Sequence, residues 1–376
     1  MKIGLAVGHF DPQIGGSETV VKRLSEGMRA RGHDVLVATS KHPSRDHSAM
    51  VAPVHEFAVR GNLAQGMAGD VLGYQDYLRS SDRDVWLFYA AQVWTTDAAL
   101  PLLRQLSAAS VVVPCGYSAL RLPQFADYFR ALPPFLADAT ALLYMSETYQ
   151  DAQHDRAAGL GHLARIVPNG ADASEFGDHQ PRDDHTGGLT VVTVANHIPD
   201  KGHAAAIRAF RATAGPRDRL VIVGRVHDRD PRRTCYYHCR SAALRDRRIF
   251  LAAAASRQQV VDHYRTADVF LLASKVECSP LVVIEAMASG IPFVSTDVGN
   301  VRDWSDSGIV TDEAGLSEAL SELWRDAQQR RHLGRRGRER WLADHTWEGL
   351  MDEYEDVFER ADRSRAGRSG QEADRS

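Results

Sequence analysis

The chain has little lysine. Of its 45 lysines and arginines only five are lysine, at positions 2, 22, 41, 201 and 275. That scarcity leaves no candidate for a pyridoxal Schiff base, and it draws attention to Lys201, which stands in a loop just ahead of an apolar segment. Cysteine is also sparse: Cys115, Cys235, Cys239 and Cys278 are too few and too scattered for a disulfide framework, which fits a reducing compartment. The net charge of −4 carries no basic excess of the kind that nucleic acid attracts. No uninterrupted apolar run reaches the roughly 18 residues of a membrane span, and Gly8-His9 interrupts the first apolar run before a signal-peptide core forms. A cytoplasmic protein without a transmembrane segment is expected. The G-x-G-x-x-G of dinucleotide enzymes is missing as well, which counts against an oxidoreductase.

What is present is ordinary globular material, 44% hydrophobic and 25% charged, and 376 residues predict two domains. Ile3–Val7, Val35–Thr39, Val85–Tyr89, Val111–Val113 and Ala141–Met145 read as buried strands separated by helical or loop segments. A second alternating series begins at Leu189–Ala195, with a helix from Gly202 to Phe210 and a strand at Leu220–Val223. Strand alternating with helix predicts parallel, doubly wound sheets. Hydrophobicity collapses over residues 175–188, where a hinge is expected. The domains are read as 1–175 with a returning helix at 347–361, and 188–346; residues 362–376 read as a disordered tail. The aromatics Tyr74, Tyr77, Trp86, Tyr89 and Trp94 read as core more readily than as a sugar platform. The arginine-rich helix Leu316–Leu342 reads as a solvated face. The sharper alternative is contact with an anionic acceptor or membrane, but residues 1–170 carry 15 basic against 16 acidic side chains and so lack a basic docking surface.

The most informative stretch is VFLLASKVECSPLVVIEAMASGIPFVST, residues 269–296. It reads as strand, loop, helix, loop and strand, with Pro280 at the helix start and Gly290-Ile291-Pro292 closing it. A helix start at a sheet's carboxyl edge offers free N–H groups to an anion, so Ser279, Pro280, Leu281 and Val282 mark a phosphate site. Glu285, within the helix, is placed to take a sugar diol. Lys201, before the next helix start, is placed to neutralise a diphosphate. Gly15-Gly16, before a helix in the first half, allow close backbone approach to a ligand. Cys235-Tyr-Tyr-His238-Cys239 tempts a metal reading, since both cysteines share a helical face. A closed zinc site wants four ligands and the sequence shows no fourth, so no metal is expected.

These residues resemble a known family. Glu277-Cys-Ser-Pro-Leu-Val-Val-Ile-Glu285 resembles the E-x7-E signature of the retaining glycosyltransferases of family 4. GGSE followed by RGHDVLVAT, Ser146-Glu147, IVPNGAD at 166–172, and TDVGN at 296–300 are similar to further motifs of that family. The resemblance covers roughly residues 1–360 and implies the GT-B fold: two Rossmann-like domains facing across a cleft, with a C-terminal helix crossing back to the first. It implies transfer of a sugar from a nucleoside-diphosphate sugar, of UDP or GDP type, to an acceptor hydroxyl with retention and without a metal. No separate cofactor is expected. The acceptor is a small molecule, a glycan or a lipid-linked molecule.

By the same resemblance Glu277 contacts the donor sugar, Glu285 binds the ribose, Lys201 clamps the phosphates, and Gly15 and Gly16 lie near them. Two positions depart from the pattern. Asn196 stands where the family has the arginine of G-R-x-x-x-x-K-G, with Arg225 on the next loop as a substitute. Cys115 stands where the family commonly has a histidine beside the donor sugar. Those departures motivate the alternative, a nucleotide-sugar-binding protein without turnover that partners an active transferase. Asn169 in the IVPNGAD turn reads as structural.

Overall fold

The computed structural model describes residues 1–177, 188–226 and 235–373. The chain divides into two compact units, Met1–Pro168 with Glu348–Ser376, and Asn169–Trp347.

Strands of the first unit are β1 (Lys2–Val7), β2 (Asp34–Ser40), β3 (Val54–Phe57), β4 (Val59–Asn62), β5 (Gly66–Gly69), β6 (Val85–Tyr89), β7 (Ala109–Val113), β8 (Ala141–Tyr144) and β9 (Ala164–Ile166). Seven of them form a sheet in the order β3-β2-β1-β6-β7-β8-β9, parallel throughout. β4 and β5 form an antiparallel hairpin in a segment that carries no readable strand motif. The expected aromatic core is there: Tyr74, Trp86, Tyr89 and Trp94 are buried, and Phe57 meets Tyr74 and Trp94 edge-on. Each fully buried ring contributes a few kcal/mol by removal from water.

The second unit holds β10 (Thr190–Val194), β11 (Arg219–Val223), β12 (Ile249–Ala252), β13 (Val269–Leu272), β14 (Phe293–Thr296) and β15 (Gly308–Thr311). They form a parallel sheet in the order β12-β11-β10-β13-β14-β15. Both faces are covered, as parallel sheets require: Val269 and Leu271 pack into one apolar cluster, Phe270 and Leu272 into the other. From β10 the chain crosses to β11 on one side; from β13 it crosses to β14 on the other. β10 and β13 therefore flank the topological switch point, where such sheets bind ligands beyond the strands' carboxyl ends.

The domain boundary and the end of the returning helix differ from expectation. The boundary falls between Pro168 and Asn169, because residues 169–177 fold with the second unit: Phe176 lies in its core and Arg257 grips Glu175 at 2.5 Å. The expected hinge falls largely in 178–187, outside the described residues. The returning helix does not stop near 361. It runs Trp347–Ala373, and the Arg365 guanidinium donates to the carbonyls of Arg104 and Leu106, which ties the expected disordered tail to the first unit. Residues 374–376 lie outside the described residues.

The basic helix is not one solvated face. It is broken into Leu316–Arg325 and Ala327–Asp344 by Asp326, whose side chain caps the second at the Gln329 N–H. Arg330 turns inward to the carbonyls of Leu323 and Trp324, and Arg338 lies over Trp341 while donating to the carbonyls of Phe176, Gly177 and Ala288. These arginines satisfy helix-end carbonyls that the fold would otherwise leave bare.

Candidate functional site

The loop leaving β10 runs from Asn196 to a short turn, Pro199–Lys201, and then Gly202 starts the helix His203–Thr213. Gly202 has φ +65°, and a Cβ there would lie 1.7 Å from the Ala273 carbonyl oxygen at the end of β13. Only glycine lets the two loops touch so closely. Their contact is sealed by the Lys275 N–H donating to the Asp200 carbonyl at 2.7 Å. The consequence is that Lys201 Nζ and Glu277 Oε1 stand 2.7 Å apart, although 76 residues separate them.

Glu277 leads into Cys278-Ser279-Pro280, and the helix Leu281–Ala288 begins there with Pro280 at its cap. The Ser279 hydroxyl is buried with no hydrogen-bond partner among the described residues, and its carbonyl is fixed by the Asn169 side-chain amide at 3.0 Å. Asn169 is in turn held through its own carbonyl by His345 Nδ1 at 2.8 Å. Its role is structural, as the sequence suggests. The first N–H groups of that helix, at Leu281 and Val282, have no partner within the helix and point with its positive end at the same rim. From the other side Gly299, at φ +57°, brings the loop after β14 against Cys278, whose carbonyl accepts the Asn300 N–H at 2.9 Å.

Glu285 is buried, and it is not open in the way a lone diol ligand would be. Arg257 Nη2 sits 2.7 Å from its Oε1 and also pairs with Glu175, while the Arg257 guanidinium stacks over Phe176. Burial works against the Arg257 charge, but Glu285 and Glu175 outweigh it and hold the guanidinium firmly protonated. Burial also raises the Tyr264 hydroxyl, which contacts Glu285 and donates to the Val282 carbonyl at 3.0 Å. Sequence reasoning missed Arg257. It follows a Ser256 capping box as an ordinary first-turn residue, and nothing in its spacing points to a carboxylate 28 positions away.

Of the remaining predicted residues, Asn196 is half-buried at the head of the β10 loop. Arg225 is exposed at the start of the loop after β11, joined to the β10 loop through its carbonyl, which accepts the His197 N–H at 2.8 Å. The structure thus gathers Lys201, Glu277, Ser279, Pro280, Leu281, Val282 and Glu285 on one sheet edge, with Asn196 and Arg225 on adjoining loops.

Gly15, Gly16 and Cys115 belong to the first unit. Gly15 caps the helix Gly16–Ala30, whose first turn carries Glu18. Cys115 is half-buried and adopts φ +60° in the turn after β7, followed by Gly116 and by Tyr117 at φ +47°. Left-handed backbone at a β-carbon residue is strained and needs support. Asp151 supplies it, accepting the Gly116 N–H at 2.7 Å, and Asp97 does the same for Gln92, at φ +63° after β6. No motif in the sequence marks either carboxylate.

Burial raises Asp151 to about 6, against hydrogen bonds from Gly116 and Ala152 that pull it down. Folding therefore favours its protonated form. The stability this gives is fully present below the unfolded carboxylate's pKa near 4 and is lost as pH rises through 6. The loss is on the order of 3 kcal/mol for a shift of about two units. Relative to Asp151→Asn, the wild type is expected to lose stability between pH 4 and 6 in urea titrations. Parallel pH profiles for the two proteins would show that Asp151 ionises normally.

Residues 178–340 match the family model for glycosyl transferases group 1. Among curated proteins, an N-acetyl-alpha-D-glucosaminyl L-malate synthase of Bacillus anthracis is 30% identical over 121 residues, 31% of this chain and 31% of that protein. A GDP-mannose:cellobiosyl-diphosphopolyprenol alpha-mannosyltransferase of Xanthomonas campestris is 26% identical over 333 residues, 82% of each chain. Among solved structures, the sucrose-phosphate synthase from Thermosynechococcus elongatus shares the fold, with a TM-score of 0.76 over 95% of this chain and 98% of that one at 19% identity. The fold is GT-B. More narrowly, this is a GT-B chain whose second unit is matched by the group 1 glycosyl transferases. None of its helices, among the described residues, is long and apolar enough to cross a membrane.

Proposed function

We propose that the chain transfers a sugar from a nucleoside-diphosphate sugar to an acceptor hydroxyl, with retention of configuration and without a metal at the reacting centre. The observation that carries this reading is the convergence of Lys201, Glu277, the Ser279 hydroxyl and the start of the helix Leu281–Ala288 at the switch point of the second sheet. A departing diphosphate needs fixed positive charge and N–H donors, and this edge supplies both in preformed positions. Lys201 receives the phosphates while Glu277, already beside it, takes the donor sugar's hydroxyls. Glu285 takes the ribose diol, with Arg257 steadying its carboxylate. Pairing with Arg257 lowers the cost of keeping that carboxylate buried and ionised before the ligand arrives. In a retaining transfer of this kind a donor phosphate oxygen can accept the acceptor's proton, so no side chain need act as base.

The long relative from Xanthomonas carries GDP-mannose and a diphosphopolyprenol in its name, which supports a nucleotide-sugar donor and a glycan or lipid-linked acceptor. The donor would be of UDP or GDP type, with no further cofactor.

The test is thermal stabilisation by a panel of nucleoside diphosphates. At a concentration of 100 times Kd the matching diphosphate contributes about 2.7 kcal/mol, a rise on the order of 5–10 °C. Glu285→Ala is expected to abolish the rise. Absence of stabilisation by every diphosphate would overturn the donor site, and stabilisation without transfer or slow donor hydrolysis would leave a binding protein instead.

A further inference from the structure

Four side chains that the proposed reaction does not use converge at the β10 loop. His197, His203, Cys235 and Cys239 each bring a nitrogen or sulfur atom into a group whose atoms all lie within 4.8 Å of one another. His197 and His203 are fully buried, Cys239 is buried, and Cys235 is half-buried. The sequence pointed to Cys235, His238 and Cys239. His238 is exposed, and the histidines that complete the group come from the β10 loop and the first residue of the helix that follows it.

The internal contacts are poorly explained by hydrogen bonding alone. His203 Nδ1 lies 3.1 Å and His197 Nδ1 3.7 Å from the same atom, Cys235 Sγ. The two imidazole rings face each other with centroids 4.8 Å apart. Nε2 of each ring is buried with no hydrogen-bond partner among the described residues. Two buried imidazoles crowd onto one sulfur, which also lies 3.6 Å from the Ile198 carbonyl, with a second thiol beside it. Zinc bonds sulfur at about 2.3 Å and imidazole nitrogen at about 2.0 Å, so the nitrogen–sulfur edge of its tetrahedron is about 3.5 Å. The two observed separations bracket that value. Two thiolates with two neutral imidazoles form a closed, borderline-soft set that suits zinc over the hard cations.

We propose that His197, His203, Cys235 and Cys239 bind one structural zinc ion. The ion would join the β10 loop to the helix Tyr236–Arg245, which begins between the two cysteines. Its ligands bracket Lys201, at 197 and 203, so the metal would fix the segment that presents the lysine while remaining outside the chemistry. It is a tether, with no open position for a substrate.

The test uses the full chain, purified under reductant from medium containing zinc. Elemental analysis is expected to find one zinc per chain, retained through gel filtration. Exchange into cobalt(II) is expected to give the strong visible bands of tetrahedral thiolate coordination. Cys239→Ser and His203→Gln are expected to lose the ion, and His238→Gln to keep it. A readout on the wild type stands apart from the folding of the ligand variants: Cys235 and Cys239 resist alkylation until a chelator is added. A folded, reduced wild-type chain with no bound zinc and no cobalt–thiolate bands would overturn the proposal, as would zinc retained after both cysteines are replaced.

Discussion

Lys201→Ala is expected to lower the rate of sugar transfer by about 100- to 1,000-fold, the usual effect of removing one preorganised group aimed at developing charge. The lysine is a strong candidate for that role because its position is over-determined. A left-handed glycine follows it, the Ala273 carbonyl abuts that glycine, and Glu277 holds its ammonium at 2.7 Å. Little reorganisation is then needed when the leaving diphosphate gathers charge. An interaction realised mainly in the transition state lowers kcat and kcat/KM together, whereas one that serves donor binding alone raises KM. Lys201→Arg is expected to recover only part of the loss, since a planar fork cannot occupy the point position of an ammonium beside Glu277. A rate for Lys201→Ala within threefold of wild type would show that the ammonium does not face the leaving group.

Gly202→Val is the second large effect, and it acts on structure. The left-handed backbone costs a β-carbon residue roughly 1–2 kcal/mol, more when branched. The new Cβ would also lie 1.7 Å from a backbone oxygen, which no side-chain rotation relieves. The β10 and β13 loops must separate, and a total near 4 kcal/mol is expected, among the larger single-residue effects. For a unit of this size that corresponds to a fall in melting temperature on the order of 8–16 °C by calorimetry. Nucleotide stabilisation should disappear with it, because Lys201 and Glu277 ride on the loops that part. A melting temperature within 2 °C of wild type would mean the close approach is not required.

Much of this was legible beforehand, for physical reasons. Buried parallel strands are continuous apolar runs, so β1, β6, β13 and β14 could be read within a residue or so of their observed ends. Glu277, Ser279, Pro280 and Glu285 lie within nine residues on one strand–loop–helix unit, and local spacing suffices to place them together. What stayed hidden needs tertiary pairing. Lys201 meets Glu277 only because β10 and β13 are neighbours, an adjacency set by strand order. Arg257 reaches Glu285 across the packing of one helix on another, and the arginines at 330 and 338 look like solvated positions until their carbonyl partners are known. The helix beyond Arg360 was missed because its anchor to the carbonyls at 104 and 106 is remote in sequence and uses the backbone, which composition does not register.

The helix Trp347–Ala373 has a consequence for how the protein is made. Its buried residues Leu350, Tyr354 and Phe358 and its Glu355, which pairs with Arg31 and His33, belong to the first unit. They are synthesised only after the whole of Asn169–Trp347 has been made. The second unit is one unbroken segment and can complete its core while the first still waits for its final helix. A stop codon just after 347 would spare the unit most recently made and leave the earlier one with an open seam.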